Sequence, residues 1–373
     1  MKTIIYKTAL QNLLALAGIE IDGEREYDIQ VHDERFYKRV MTEAELGLGE
    51  SFMDGWWDVA RLDEMICRVL RAGLRDQVRR NFRIILQLAG FRLINMQAKR
   101  RAFIIGERHY DLGNDLFQGM LDRRMNYSCA YWKNAQDLDQ AQEDKLELIC
   151  RKLALAPGMK VLDIGCGWGS FGRYAAEKYG VRVTGITVSK EQVALGRTIC
   201  AGWPVEFRLC DYRDLTEKFD RIVSIGMFEH VGVKNYRAFF KLAAQNLTAG
   251  GLVLLHTIGD LQSGKSCNPW IHKYIFPNGM LPSVSQIGRA IEALFIMEDW
   301  HNLGADYDKT LMAWYRNFSA SWPRLKEHYS ERFRRMWIYF LLSCAGSFRA
   351  RHNQVWQIIL SPAGVPGGYC AVR

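Results

Sequence analysis

The sequence predicts an α/β fold, a parallel sheet wound with crossover helices, preceded by a small, mainly helical N-terminal domain. Three observations predict it. From about residue 113 onward, apolar runs of strand length alternate with helical stretches, the rhythm of parallel strands joined by helices. The first of these runs flows into a glycine-rich loop that opens a helix. The chain has 373 residues, 49% hydrophobic and 24% charged. That composition is ordinary for a globular protein, and the length favours two domains. Disordered, collagen-like and linker proteins are excluded.

The elements follow in order. Lys2 and Lys7 precede an Ala- and Leu-rich run over residues 9–17 that loosely resembles a signal peptide. Gln11 and Asn12 interrupt it, and Leu10, Leu13, Leu14 and Ala17 fall at i, i+3, i+4 and i+7 before Gly18. The expectation is a retained amphipathic helix with a glycine C-cap. Residues 1–90 read as mainly helical, with a strand candidate at 27–31. Residues 46–57 (LGLGESFMDGWW) read as a glycine-punctuated turn and the hinge of this small domain, with Trp56 and Trp57 as core or interface residues. Residues 91–112 read as a basic linker. The second domain spans 113–373, with strands at 160–164, 181–186, 205–209, 221–225 and 252–256. The longest apolar run, residues 337–346, is half the ~20 residues a membrane-spanning helix needs.

Nine cysteines are present, and none forms a C-x-x-C pair. No metal site or disulfide framework is read from their spacing. Free thiols point to a reducing compartment, the cytoplasm. The net charge is +9, and residues 61–108 hold twelve basic against four acidic residues, a net +8. Apolar residues such as Phe82, Ile85, Leu86 and Phe91 interleave with the charges. An anionic membrane surface suits this pattern, each Lys or Arg contributing ~1 kcal/mol. A nucleic-acid footprint or a solvated helix face packed on a second domain has the same composition.

Residues 161–169 read VLDIGCGWG. An apolar strand carrying Asp163 runs into glycines at 165, 167 and 169. A dinucleotide fingerprint has the spacing G-x-G-x-x-G. Here the third glycine comes one residue sooner and an acidic residue precedes the loop. This pattern resembles the first motif of class I S-adenosylmethionine (SAM) methyltransferases, which implies a Rossmann-like catalytic domain. SAM carries a sulfonium, an ammonium and a carboxylate. Asp163 and the N–H groups around Gly165, Cys166 and Gly167 suit that mixture, with Cys166 as a small residue in a tight turn. Many such enzymes end the second strand in an acidic residue that holds the ribose. Residues 183–192 (VTGITVSKEQ) have none there, so Thr187 and Gln192 are the candidates. Asp211, followed by Tyr212, is a candidate for the adenine amino group. A helix cap at Thr187 and a turn cap at Asp211 are the competing readings.

Further motifs occur at residues 109–117 (HYDLGNDLF), 127–132 (YSCAYW), 226–232 (GMFEHVG), 254–259 (LLHTIG), 270–281 (WIHKYIFPNGML), 297–307 (MEDWHNLGADY) and 344–351 (CAGSFRAR). Together with 46–57 and 161–169, they make the chain resemble the cyclopropane-fatty-acyl-phospholipid synthase family over almost its whole length. The N-terminal domain implies a phospholipid substrate, because the related mycolic-acid enzymes lack it. The resemblance implies that the alkene of an unsaturated acyl chain attacks the sulfonium methyl. A base then removes a proton and the ring closes. An alkene is a weak nucleophile, so positioning and exclusion of water carry much of the acceleration.

The resemblance further implies bicarbonate as that base, held by Cys129, Glu229 beside His230, His256, the Ile258 N–H and Tyr307, with Tyr127 and Ser128 at the SAM site. Cys344 matches a position once favoured as an active-site cysteine. It has no obvious task in direct methyl transfer and reads as lining the site or packing near it. The implied partners are unsaturated phospholipids in the bilayer and an anionic membrane surface reached from the cytoplasmic side. A homodimer is implied too, and no nucleic acid. The rival readings are a lipid C-methyltransferase that adds a branch without closing the ring, a non-catalytic SAM-sensing membrane module and a nucleic-acid methyltransferase. For the last, the D/N-P-P-Y type motif is absent.

Overall fold

The computed structural model describes residues 2–74, 113–264 and 267–373. The linker expected at 91–112, and the basic stretch from Arg75 to Arg108, lie outside the described residues. The chain divides into two compact units. The first draws on Met1–Ile94, Ser266–Pro277 and Tyr307–Asn353, the second on Asn95–Lys265, Asn278–Asp306 and Gln354–Arg373. The sequence-based division places 267–277 and 307–353 in the catalytic segment, whereas here they cluster with the N-terminal elements. The physical reason is helix packing. The helix Glu331–Arg349 lies against Leu62–Arg71 so closely that a Cβ on Gly346 would sit 2.3 Å from the Asp63 carbonyl oxygen. Arg349 locks the crossing, donating to Asp63 and, through two nitrogens at 2.9 Å, to Asp308.

In the first unit, the helix Lys2–Ala15 buries Leu10 and Leu14, and Gly18 follows it at φ +66°. The strand candidate at 27–31 shrinks to β1 (Gln30–Val31), paired antiparallel with β2 (Trp57–Asp58). The expected turn and hinge at 46–57 is corrected: helix covers Arg35–Met53, broken by a kink at Ala44 (φ +50°), so Gly47 and Gly49 are helical and the chain turns after them at Asp54 and Gly55. Phe36, Tyr37, Val40, Gly47, Phe52 and Met53 are buried along it. Its glycines are small because space is short, not because the backbone must bend. A Cβ on Gly49 would fall 2.4 Å from the Trp270 indole. Trp57 is fully buried against the rings of Phe36 and Phe52.

The second unit holds a seven-stranded sheet. Its strands are β3 (Lys160–Ile164), β4 (Arg182–Thr187), β5 (Val205–Leu209), β6 (Phe219–Ile225), β7 (Leu247–Asp260), β8 (Ile296–Asn302) and β9 (Asn353–Ser361), in the order β5-β4-β3-β6-β7-β9-β8. The five expected strands are present as β3 to β7, and they pair in parallel. The sequence reading did not foresee β9 beside β7, or β8 antiparallel to β9 at the edge.

Both faces of the sheet are buried. Leu162, Ile222, Val253 and Ile358 enter one core, with Phe239 and Ile287 from the helices Tyr236–Gln245 and Val284–Ile291. Their neighbours Val161, Val223, Leu254 and Ile359 enter the other, with Leu146 and Phe171 from Leu138–Lys152 and Ser170–Tyr179. Strands buried on both sides read as continuous apolar runs, as these do. The chain winds outward from β3 through β4 to β5, then returns to β6 on the other side. That reversal opens a crevice at the carboxyl end of β3.

Candidate active site

The crevice is a cleft of about 1250 Å³, including the part open to solvent. All ten residues expected at the SAM site line it: Tyr127, Ser128, Asp163, Gly165, Cys166, Gly167, Thr187, Gln192, Asp211 and Tyr212. The glycine loop passes over the end of β4. The N–H groups of Gly165 and Cys166 both donate to the Ile186 carbonyl, at 2.9 and 3.1 Å, and that of Gly169 to Cys166 O. Those of Gly167 and Trp168 have no backbone acceptor among the described residues and remain for a ligand. Gly165 has φ +83°, and a Cβ there would lie 2.5 Å from Met227. Burial pushes the Cys166 thiol well above its ordinary range, so it is an inert packing residue of the loop.

Asp163 is buried, and its Oδ1 has no hydrogen-bond partner. Burial raises its pKa to about 7, against the pull of Lys145. A buried carboxylate oxygen left unpaired is what the ammonium of SAM would satisfy. Thr187 is not the helix cap; Ser189 caps the helix Lys190–Ile199 by accepting from Gln192 N. The Thr187 hydroxyl instead donates to Gln192 Oε1 at 2.7 Å. That turns the amide N–H groups of Gln192 into the available donors, a substitute for the missing acidic residue. Asp211 does cap its turn, accepting from Arg213 N, and it also takes two bonds from the Arg213 side chain at 2.7 and 2.6 Å. Its carboxylate is therefore largely committed, and less of it is left for an adenine than the sequence reading expected.

Of the residues expected around a base, His230 is in the lining of that cleft, and Cys129, Glu229, His256, Ile258 and Tyr307 are not. Glu229 sits in the turn Phe228–His230 after β6, next to the cleft-lining His230. It is 7% exposed; Oε1 accepts from Ile258 N–H at 2.6 Å, and Oε2 has no partner. Burial lifts its pKa to about 7, with the Ile258 bond opposing. The Ile258 N–H, expected to serve a bound anion, is thus given to Glu229: a buried carboxylate without a cation takes the nearest donor.

His256 lies two residues before Ile258 on β7, and burial holds its imidazole neutral. Its Nδ1 is 3.3 Å from Gln357 Nε2. With that amide donating, Nδ1 accepts and Nε2 carries the hydrogen. Cys129 is fully buried, its thiol directed to Ala130 O at 3.3 Å and Leu303 O at 3.8 Å. Tyr307 and Cys344 belong to the first unit. Tyr307 packs on the rings of Trp314 and Phe348, and burial raises the Cys344 thiol to about 12. No nucleophilic role for Cys344 is indicated.

Residues 97–358 match the mycolic acid cyclopropane synthetase family. Over 368 residues the chain is 55% identical to the cyclopropane-fatty-acyl-phospholipid synthase of Escherichia coli, covering 99% of this chain and 96% of that one. This chain belongs to the cyclopropane synthetase family. Two solved family structures are similar, each matched over 97% of its own length and 69% of this chain. One is a cyclopropane synthase from Mycobacterium tuberculosis (32% identity, TM-score 0.66). The other is a mycolic acid cyclopropane synthase complexed with SAH and CTAB (36%, 0.65). A coclaurine N-methyltransferase bound to SAH (20%, 0.68), covering 84% of this chain and 98% of that one, shares the fold. The second unit is a class I SAM-dependent methyltransferase fold.

One residue of this synthetase cleft had no signal in the sequence. Lys145 lines it yet is 1% exposed. On an amphipathic helix rich in charge, a lysine reads as solvated, yet here it turns inward to Asn126 and Ser128, in the segment before its helix.

Proposed function

We propose that the protein transfers a methylene group from SAM to the cis double bond of unsaturated phospholipid acyl chains and closes a cyclopropane ring. The observation that carries this reading is Glu229, a buried carboxyl with no cation, one unpaired oxygen and a pKa near neutrality, adjoining a cleft whose donors suit SAM. Bound SAM supplies an electrophilic methyl carbon. The chain's residues do the rest. Gly167 and Trp168 N–H, the Gln192 amide and the Ser128 hydroxyl orient the donor, and Asp163 faces its ammonium.

Beside the cleft, Glu229 is half protonated near pH 7 and can donate as well as accept, and neutral His256 presents Nε2–H. A small anion such as bicarbonate suits two such donors, and it would supply the base that accepts the surplus proton. Two like charges would otherwise repel, and protonation of Glu229 removes the conflict. The substrate stays in the bilayer, so the enzyme works, as a homodimer, at the cytoplasmic face of an anionic membrane. The basic stretch 61–108 supports this, and no helix among the described residues is long and apolar enough to cross a membrane.

The test is incubation with SAM and monounsaturated phospholipid vesicles, with and without bicarbonate, followed by NMR of the released fatty acids. Upfield ring protons and loss of vinyl signal are expected, at a rate that falls when bicarbonate is removed. A methyl-branched product would assign the alternative C-methyltransferase activity. Untouched vinyl signal with no SAM consumed would remove both.

A further inference from the structure

A buried cation at the cleft has no place in the scheme above. The Lys145 ammonium donates to Asn126 Oδ1 and to Ser128 Oγ, both at 3.0 Å. These are its acceptors among the described residues, and an ammonium has three hydrogens to give. No carboxylate reaches it: Asp122 and Asp163 act on it only through space. Its partners are already well used. Asn126 Oδ1 also accepts from Ser170 Oγ at 2.6 Å, and Asn126 Nδ2 donates to Asp122.

A buried ammonium without a hydrogen-bonded counter-charge is costly, and such groups cluster where a ligand brings the missing charge. The same cleft holds the opposite case, the Asp163 carboxyl with its unpaired Oδ1. A cation and a carboxyl that face one cleft, act on each other only through space and are hydrogen-bonded to no opposite charge complement a zwitterion. The network also fixes the sense of Ser128. Its oxygen accepts from Lys145, so its own hydrogen is left to donate.

We infer that Lys145 recognises the carboxylate of the methyl donor's amino-acid end: its buried ammonium is the counter-charge, and it holds the Ser128 hydroxyl as a second donor to that group. This rests on the reading of the cleft as a SAM site and adds the residue that selects the zwitterionic end of the ligand. Lys145 is a binding and positioning residue, with no part in the chemical step.

Calorimetric titration of the full-length protein separates the two readings. SAH and 5′-methylthioadenosine share the nucleoside and the sulfur, and only SAH has the amino-acid end. The unchanged protein should prefer SAH strongly. Lys145→Met and Ser128→Ala should weaken SAH tenfold or more and leave methylthioadenosine within twofold. Variants that lose both ligands equally, or keep the full preference, would overturn the inference while the SAM reading stands. An unchanged protein that binds neither ligand would overturn the SAM reading and the inference with it. Should Lys145→Met fail to fold, Lys145→Gln, which keeps a donor and removes the charge, takes its place: a kept preference for SAH is refutation, a lost one support.

Discussion

Glu229 is held where a small change of pH alters its charge. Burial raises its folded pKa from 4.5 to about 7, so the native state binds a proton that the unfolded chain has released across that interval. Its contribution to stability is full below pH 4.5 and lost as the pH climbs through 7. Asp163 behaves alike between 3.8 and about 7. Lys145, lowered by burial from 10.5 to about 8, has the opposite slope: it disfavours the native state below pH 8, and stability recovers as the pH rises from 8 to 10.5. Glu229→Gln should therefore flatten the loss of stability of the ligand-free protein between pH 4 and pH 8, by on the order of 3 kcal/mol. Urea midpoints across that range are the measurement, and a profile identical to the unchanged protein would exclude Glu229 as the titrating group. The same variant should lose at least ~100-fold in turnover, the lower end for a general acid–base group, with SAH affinity intact. Lost SAH binding would instead move Glu229 into the cofactor site.

At the scale of elements, the site depends on one bend at the end of β3. Gly165 adopts a left-handed conformation and abuts Met227. A methyl there meets both strain and a neighbour at 2.5 Å, so Gly165→Ala should cost about 1–3 kcal/mol and weaken SAH binding tenfold or more. Titration and urea unfolding of one preparation check both halves; a variant with normal affinity would mean the loop can re-form around an alanine.

The same scale separates what was legible in the sequence from what was not. Strands β3 to β7 were readable because each carries apolar residues in a run closed by turn residues and alternates with a helical stretch, whereas their order in the sheet was not. Strand β8 carries Glu298, Asp299 and His301 and looks polar, while β9 follows two long helices that break the strand–helix rhythm. The turn expected at 46–57 failed because glycine serves two ends, bending and close packing, and a sequence does not say which. Cleft-lining positions were found through the motif, yet how each is spent was not. The commitment of Asp211 to Arg213, of the Ile258 N–H to Glu229, and the concealment of Lys145 all arise from contacts between segments distant in sequence or from rotamers set by packing.

For the whole molecule the remaining question is how a chain without a spanning helix among its described residues would meet the bilayer phospholipid proposed as its substrate. Charge is the available force, but not all of the basic stretch is free to supply it. Arg61 is paired with Asp63 at 3.1 Å and Arg68 with Glu64 at 3.0 Å, while Arg71 donates to the Arg349 carbonyl. Asp63 and Glu64 offset Arg61 and Arg68, Arg71 keeps its charge, and the rest of the surplus starts at residue 75. From there to 108, nine basic residues face two acidic ones, a net +7. At roughly 1 kcal/mol for each charge near an anionic surface, replacing Lys99, Arg100 and Arg101 together by glutamine should weaken binding to vesicles rich in anionic lipid on the order of a hundredfold at low salt. Raising the salt to 1 M shortens the screening length to about 3 Å and should erase the difference between variant and unchanged protein. Affinity for SAH should stay the same throughout, since none of the residues proposed to hold SAM is changed. Co-sedimentation across lipid composition and salt gives the answer: association indifferent to both would mean that apolar contact, not this charge, brings the enzyme to the membrane.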